Sequence, residues 1–289
     1  MFDIFFSVVV WGFIFSNIYL GLALGFSIIA GVLRVFHMGY GLFFTATVYL
    51  VWTFGGVAGL NIWLSILLAI SILMFFSIAL YPLIKKFLDA EDYLLISLVL
   101  IFLLGEEIIN KIYPVERGVY LPTLVFSGVI TIGPINIVQQ YLFLSFLSIF
   151  LFIIYVILFK FTKFGLIIRA VSQDLNSARL FGINVSLTYA LSLGLAIIAP
   201  SLLVIFYSPL TRVDPYMGFP LFITALQVAV LGGLGNLKGT LLAAYVIGYV
   251  HAIVGFLVDP RAMNLASLIV IMLTLLFKPR GLARAESIW

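Results

Sequence analysis

Val230–Thr240 reads VLGGLGNLKGT, three glycines within four residues and then a lysine, a glycine and a threonine. Two folds compete for it: a nucleotide-binding loop in a soluble ATPase, or a turn between two membrane helices. A phosphate cradle of the G-x-x-x-x-G-K-[ST] type needs its last glycine directly before the lysine, so that backbone N–H groups and the ammonium meet at the same phosphates. The order here is Lys238-Gly239-Thr240, so the match fails where the chemistry would lie. Composition then decides. Hydrophobic residues make up 64% of the 289 and charged residues 9%, with a mean hydropathy of +1.29, which leaves too little polar surface for a water-soluble globule.

The chain reads as one all-α integral membrane domain, residues 1–289, a polytopic bundle of eight or nine transmembrane helices. A bilayer core of about 30 Å asks for roughly 20 apolar residues per helix, and such runs fall near 5–32, 38–57, 60–81, 93–110, 141–160, 186–207, 218–235, 240–258 and 264–277. The seventh is broken by glycines and is the candidate for a re-entrant segment. Continuous rather than alternating apolarity argues against a β-barrel. The N-terminus, MFDIFFSVVVWGFIF, has no basic region and no small-residue cleavage site, so it is expected to be a retained span. Without cysteine there are no disulfides, thiolate metal ligands or cysteine nucleophiles, and no metal site is expected.

With the N-terminus outside, eleven of the 15 basic residues collect at inner ends: Arg34, Lys85, Lys86, Lys160, Lys163, Arg169, Arg179, Lys238, Lys278, Arg280 and Arg284. Lys111, Arg117, Arg212 and Arg261 remain outside. That asymmetry fits the positive-inside rule with the N-terminus out and the C-terminus in. It also accounts for the net charge of +4 without nucleic acid. An extracytoplasmic loop over about 111–140, with Pro114, Pro122 and Pro134, is expected to lie over the bundle.

Between the fifth and sixth spans, KFGLIIRAVSQDLNSARLFGINVS (Lys163–Ser186) is too polar to cross and periodic enough for a helix. At 100° per residue Ile168, Val171, Leu175, Ala178 and Gly182 share one face, and Arg169, Ser172, Gln173 and Asn176 another. One amphipathic helix on the inner surface is expected, ended by a left-handed Gly182, with Asn184 and Ser186 leading into the next span. Alanines at 170 and 178 keep the surface low for a partner. From the residues alone, a helix lying on anionic lipid and a helix docking a cytoplasmic protein stay equally open.

GLIIRAVSQDLNSARLFGIN resembles the cytoplasmic coupling motif of the branched-chain amino acid permease family of bacterial and archaeal ABC importers. The matching residues are Arg169, Ala170, Asp174, Ala178, Arg179, Gly182, Ile183 and Asn184. VLGGLGNLKGTLLAAYVIG resembles that family's Val-Leu-Gly-Gly-Leu-Gly segment, and KPRGLA (Lys278–Ala283) its Arg-Pro-Arg-Gly-Leu ending. Phe36-His37-Met38-Gly39 stands near the family's Asn-Phe-Ala-His-Gly position without the asparagine. The resemblance implies a permease subunit of an ATP-driven importer in the prokaryotic cytoplasmic (inner) membrane, with a coupling helix over about 163–184. It implies cytoplasmic ABC ATPase subunits, a homologous second permease and an extracytoplasmic substrate-binding protein as partners, beside membrane lipid. ATP-Mg would sit on the ATPase subunits, with no cofactor on this chain and no enzymatic site of its own. The cargo would be branched-chain or other amino acids, or a small amide such as urea.

Residue roles follow. Arg169, Ala170, Asp174, Ala178, Arg179, Gly182 and Ile183 would couple to the ATPase, with the two arginines reaching acidic or carbonyl groups in its groove. Gly232, Gly233, Gly235 and Gly239 would pack helices closely or form a gate hinge. His37, Asn17, Gln227 and His251 are candidates for the translocation path, because buried polar groups in a membrane are expensive. Glu106 and Glu107, at the outer end of the fourth span, could attract a cationic group or simply reach interfacial water. Arg212 and Asp214 could meet a binding protein or form a local pair. The alternative from another class is an ion-coupled secondary transporter, for which only Glu106 and Glu107 offer carboxylates.

Overall fold

The computed structural model describes residues 2–88, 90–113, 119, 121–279 and 281–283. Pro114, Arg117, Arg280 and Arg284 lie outside the described residues. The elements are α1 Phe2–Val32, α2 Tyr40–Trp52, α3 Ile62–Ala79, α4 Tyr81–Lys86, α5 Glu91–Ile112, β1 Val129–Ile132, β2 Ile135–Val138, α6 Gln139–Phe161, α7 Lys163–Gln173, α8 Leu175–Leu180, α9 Val185–Tyr207, α10 Gly218–Gly232, α11 Leu237–Leu257 and α12 Met263–Phe277. A π-helical turn, Thr53–Val57, prolongs α2.

The protein is a multi-pass helical membrane protein. Seven of the described helical segments are long and apolar enough to cross a bilayer, rather than eight or nine. The two expected spans outside that set are α5 and α10. Helix α5 carries Glu91, Asp92, Glu106, Glu107 and Lys111. Helix α10 has 15 residues, about 22 Å at 1.5 Å per residue and short of the core thickness. Its glycine-broken end stops at Gly232, three residues before the expected boundary.

Helix α1 is the axis of the bundle. It runs along α11 and packs against α6, α9 and α10, so Ser16, Asn17 and Ser27 are buried along with Leu20, Leu22, Leu24 and Phe26. Helices α3, α5, α6 and α12 together carry most of the exposed large apolar side chains, such as Phe75, Leu104, Phe146 and Phe277, the composition a lipid-facing surface needs.

After α1 the chain reverses at Arg34, the one non-glycine residue with positive φ (55°) among those described. It then doubles back non-helically along α1, so that Phe36 and Tyr40 both meet the ring of Phe26 edge-on. The Tyr40 hydroxyl donates to the Leu22 carbonyl. Helix α2 therefore starts within the bundle rather than at its rim.

At the end opposite α7, the expected connective loop contains a β-hairpin, with Val129 opposite Val138 and Ile132 opposite Ile135. Gly133, at φ +59°, makes its tight turn. Gln140 ties the preceding loop to the bundle: its amide donates to the Phe206 carbonyl and its oxygen accepts from Val125 and Phe126 N–H.

Candidate functional site

The polar insert is two helices, not one. Asp174, in extended backbone (φ −146°, ψ 107°), ends α7 and caps α8, accepting from the N–H groups of Asn176 and Ser177 and from the Ser177 hydroxyl. Local side-chain bonding of this kind competes with helix continuation, and here it wins. The same bonds, that of the Ser177 hydroxyl foremost, hold the Asp174 carboxyl below the usual carboxylate range. After Phe181, Gly182 takes φ +77°, its N–H bonding to the Arg179 carbonyl while Ile183 N–H bonds to that of Ala178. This is the paired closure of a Schellman motif, which glycine enters without steric cost. Asn184 then caps α9 by accepting from Leu187 N–H.

The insert is braced from within the chain. Arg169 is half-buried, and its Nη1 donates to the carbonyls of Phe159 and Lys160, 3.1 Å each, the orphan acceptors at the end of α6. Its guanidinium is thus turned toward α6 and fixes the elbow to α7. Ser172, expected on the polar face, is buried, and its carbonyl accepts from Arg34 Nη2 at 2.8 Å. Ala178 is 2% exposed and belongs to the chain's own core, so its small size serves internal packing rather than a low outer surface. Ala170 is half-buried, while Arg179 and Gly182 are exposed.

Two residues missed in the sequence stand at the tip: Leu180 and Phe181 are 88% and 86% exposed, the highest values among the described large apolar side chains. The available signal was a Leu-Phe pair directly before a helix-ending glycine in a segment too polar for the membrane.

Beside the insert lies a glycine junction. The end of α10 meets the start of α11 so closely that a methyl on Gly232 would stand 2.6 Å from the Gly239 carbonyl carbon. A methyl on Gly31 would stand 2.6 Å from Gly235 Cα. The C-terminal segment closes the junction from below, with Leu282 N–H donating to the Leu231 carbonyl at 2.8 Å and Ala283 N–H to that of Gly232 at 3.2 Å. Ser27 and Thr240 share a buried hydroxyl bond of 2.7 Å. The N–H groups that a phosphate would need are used internally: Gly233 to Val230, Asn236 to Gly233, and Gly239 to the Asn236 side chain. Lys238 is exposed at this rim.

Of the four candidate path residues, Asn17 and His251 share the α1–α11 seam, and Gln227 and His37 lie apart from it. Asn17 donates to the Phe13 carbonyl and accepts from the Tyr245 hydroxyl across the α1–α11 seam. His251 Nδ1 pairs with the Tyr19 hydroxyl at 2.8 Å on that seam. Gln227 accepts from Ser267, joining α10 to α12. His37 is fully buried in the return stretch, with no described hydrogen-bond partner for either ring nitrogen. At the opposite end, Glu107 accepts from the Tyr216 hydroxyl, whereas Glu106 is 5% exposed with Oε1 unpartnered among the described residues.

The insert is thus a braced, non-spanning pair of short helices at the same end of an apolar bundle as a close-packed glycine turn. A family model described as branched-chain amino acid transport system / permease component matches residues 8–277. The chain belongs to that family.

Among relatives, the high-affinity branched-chain amino acid transport system permease protein LivH of Escherichia coli (strain K12) is 29% identical over 182 residues, 58% of this chain and 56% of its own length. The corresponding permease protein BraD of Pseudomonas aeruginosa is 29% identical over 150 residues, 48% of each chain. The probable branched-chain amino acid transport permease protein LivH of Methanocaldococcus jannaschii is 27% identical over 236 residues, 72% of this chain and 69% of its own. The match thus spans about half the length of the first two permeases. No solved structure matches the chain. None of these similarities favours the ion-coupled carrier.

Proposed function

We propose that this permease is the membrane-spanning subunit of an ATP-driven importer of branched-chain or related aliphatic amino acids in a prokaryotic cytoplasmic membrane. Its N-terminus lies outside and its insert faces the cytoplasm. The partners are cytoplasmic ABC ATPases carrying ATP-Mg, a second permease copy or homologue, and an extracytoplasmic binding protein.

The observation that carries the reading is the pair Leu180 and Phe181 exposed at the tip of a hydrogen-bonded insert. Two large apolar side chains in water are costly, at about 25 cal/mol per Å² of apolar area, and a hydrophobic anchor in a partner's pocket relieves that cost. Arg179, one residue away, supplies charge complementarity at the rim. Arg169 and Arg34 act from behind: they make the insert stiff, so that movement of an ATPase groove is passed to α6 and α1 instead of being lost in the elbow. The glycine junction is the surface on which the ends of α1, α10 and α11 shift past one another.

The test is co-purification with the ATPase subunits of the host. Leu180→Glu with Phe181→Glu is expected to cut the retained ATPase at least ten-fold while leaving the thermal midpoint of the permease unchanged. Arg169→Ala should instead lower that midpoint. Full retention of ATPase by the double variant sinks the anchor, and absence of ATPase from wild type sinks the importer reading.

A further inference from the structure

At the end of the bundle that bears the insert, a cleft of about 240 Å³ opens between the turn after α1 and the start of α5. Its walls pair two opposite charges with apolar surface: Arg34 from one side, Glu91 from the other, and Leu33, Phe36, Leu88 and Leu95 around them. Arg34 spends one hydrogen bond on the Ser172 carbonyl among the described residues, and a guanidinium has five N–H groups in a planar fork suited to a carboxylate. Glu91 is exposed in the first turn of α5, where a carboxylate favours the helix and is still free to accept an ammonium.

We infer that this cleft binds a free zwitterionic amino acid with an aliphatic side chain, its carboxylate on Arg34, its ammonium on Glu91 and its side chain on the leucines and Phe36. The inference rests on the orientation proposed above, which makes the cleft cytoplasmic. Its volume is below that of drug-sized sites, which run to about 300–1,000 Å³, and holds one small side chain rather than the two acyl chains of a zwitterionic lipid.

The position gives occupancy a consequence. Arg34 sits at a left-handed turn in the chain and its guanidinium holds the last turn of α7. A carboxylate in the cleft draws on the same guanidinium, so accumulated product weakens the tie between α1 and the insert. The site is therefore a product sensor: amino acid on the inside slows further import.

Binding is measured with radiolabelled leucine on the full chain in phosphatidylcholine nanodiscs, without ATPase or binding protein, so it remains readable if the importer reading fails. Wild type is expected to bind saturably. Glu91→Gln and Arg34→Gln are each expected to weaken binding at least ten-fold, and Asp92→Asn, on the same turn but outside the cleft, should leave it unchanged. Leu95→Trp, a filling change at a 43% exposed position, should abolish binding with the fold retained. Leucine methyl ester and 4-methylpentanoate, each lacking one charge, should compete at least ten-fold more weakly than leucine. Binding that survives Leu95→Trp, or no saturable binding at all, overturns the site. Displacement of leucine by added phosphatidylethanolamine makes a lipid headgroup the occupant and overturns it too. In proteoliposomes of the assembled importer, leucine sealed inside should slow ATP-driven uptake by wild type but not by Leu95→Trp. Equal slowing of both overturns the sensing role.

Discussion

Replacing Gly232 with alanine sets two effects against each other. Gly232 closes α10 in helical conformation, where alanine is favoured over glycine by about 0.5–1 kcal/mol. The new methyl, however, would lie 2.6 Å from the Gly239 carbonyl carbon and 2.7 Å from both its oxygen and Thr240 N. That is about 0.8 Å inside ordinary van der Waals contact, on the repulsive wall of each pair. The neighbour is backbone in the first turn of α11, held by the Asn236 cap and by the Ser27–Thr240 bond, so it cannot swing aside as a side chain would. Overpacking of this kind costs about 1–3 kcal/mol. The strained hydrogen bond from Ala283 to the Gly232 carbonyl adds about 1 kcal/mol at most. At the middle of these ranges packing wins, with a net loss of about 2 kcal/mol. At about 2–4 °C per kcal/mol for a chain near this size, the midpoint of a thermal scan followed by size-exclusion chromatography in detergent falls by about 4–8 °C. An unchanged or raised midpoint would show that helix propensity dominates and that the junction is not close-packed.

The cap at Asp174 gives the insert a pH dependence. Its carboxyl is lowered by hydrogen bonds made only in the folded insert, so the stabilisation is complete above the ordinary aspartate value of about 3.9 and is lost as pH falls through the lower, folded value. Proteolysis of the insert by pepsin should therefore accelerate on acidification, and Asp174→Asn, an equally good cap, should remove that dependence. At the buried hydroxyl pair, Thr240→Val takes away the partner described for the Ser27 hydroxyl and should cost about 1–3 kcal/mol, whereas in Ser27→Ala the Thr240 hydroxyl keeps its bond to the Asn236 carbonyl and the loss should be smaller. The double variant should recover most of that loss in the same thermal scan, and strictly additive losses would refute the coupling.

The apolar runs were legible because a span is a property of consecutive residues, and all nine expected runs coincide with helices. Gly182 was legible for a similar reason, as glycine after a periodic stretch signals a left-handed close. The break at Asp174 was not, because a helical face count treats Asp174 as one more polar position and does not weigh its bonds to Asn176 and Ser177. The hairpin had a signal, Gly133-Pro134 between two runs rich in isoleucine and valine, masked by reading the whole stretch as a proline-rich loop. Charge grouped Arg34 and Arg169 at one end of the bundle, yet their partners Ser172, Phe159 and Lys160 depend on how α1, α6 and α7 meet. No local pattern encodes that meeting. The same holds for Ala178, whose small side chain reads alike whether it faces a partner or its own core.

Helix α1 leaves the ribosome before all of the helices that enclose it, α6, α9, α10 and α11, the last of which ends at Leu257. At about 5–20 residues per second, some 225 residues of further synthesis take roughly 10–45 s. Through most of that interval Ser16, Asn17 and Ser27 stand on a helix whose hydrogen-bonding partners on α11 do not yet exist, and Ser16 and Asn17 wait longest because Tyr245 follows Thr240 in that helix. The centre of the bundle is thus written before the helices that seal it. The insertion machinery must shelter the first span until the eleventh helix arrives.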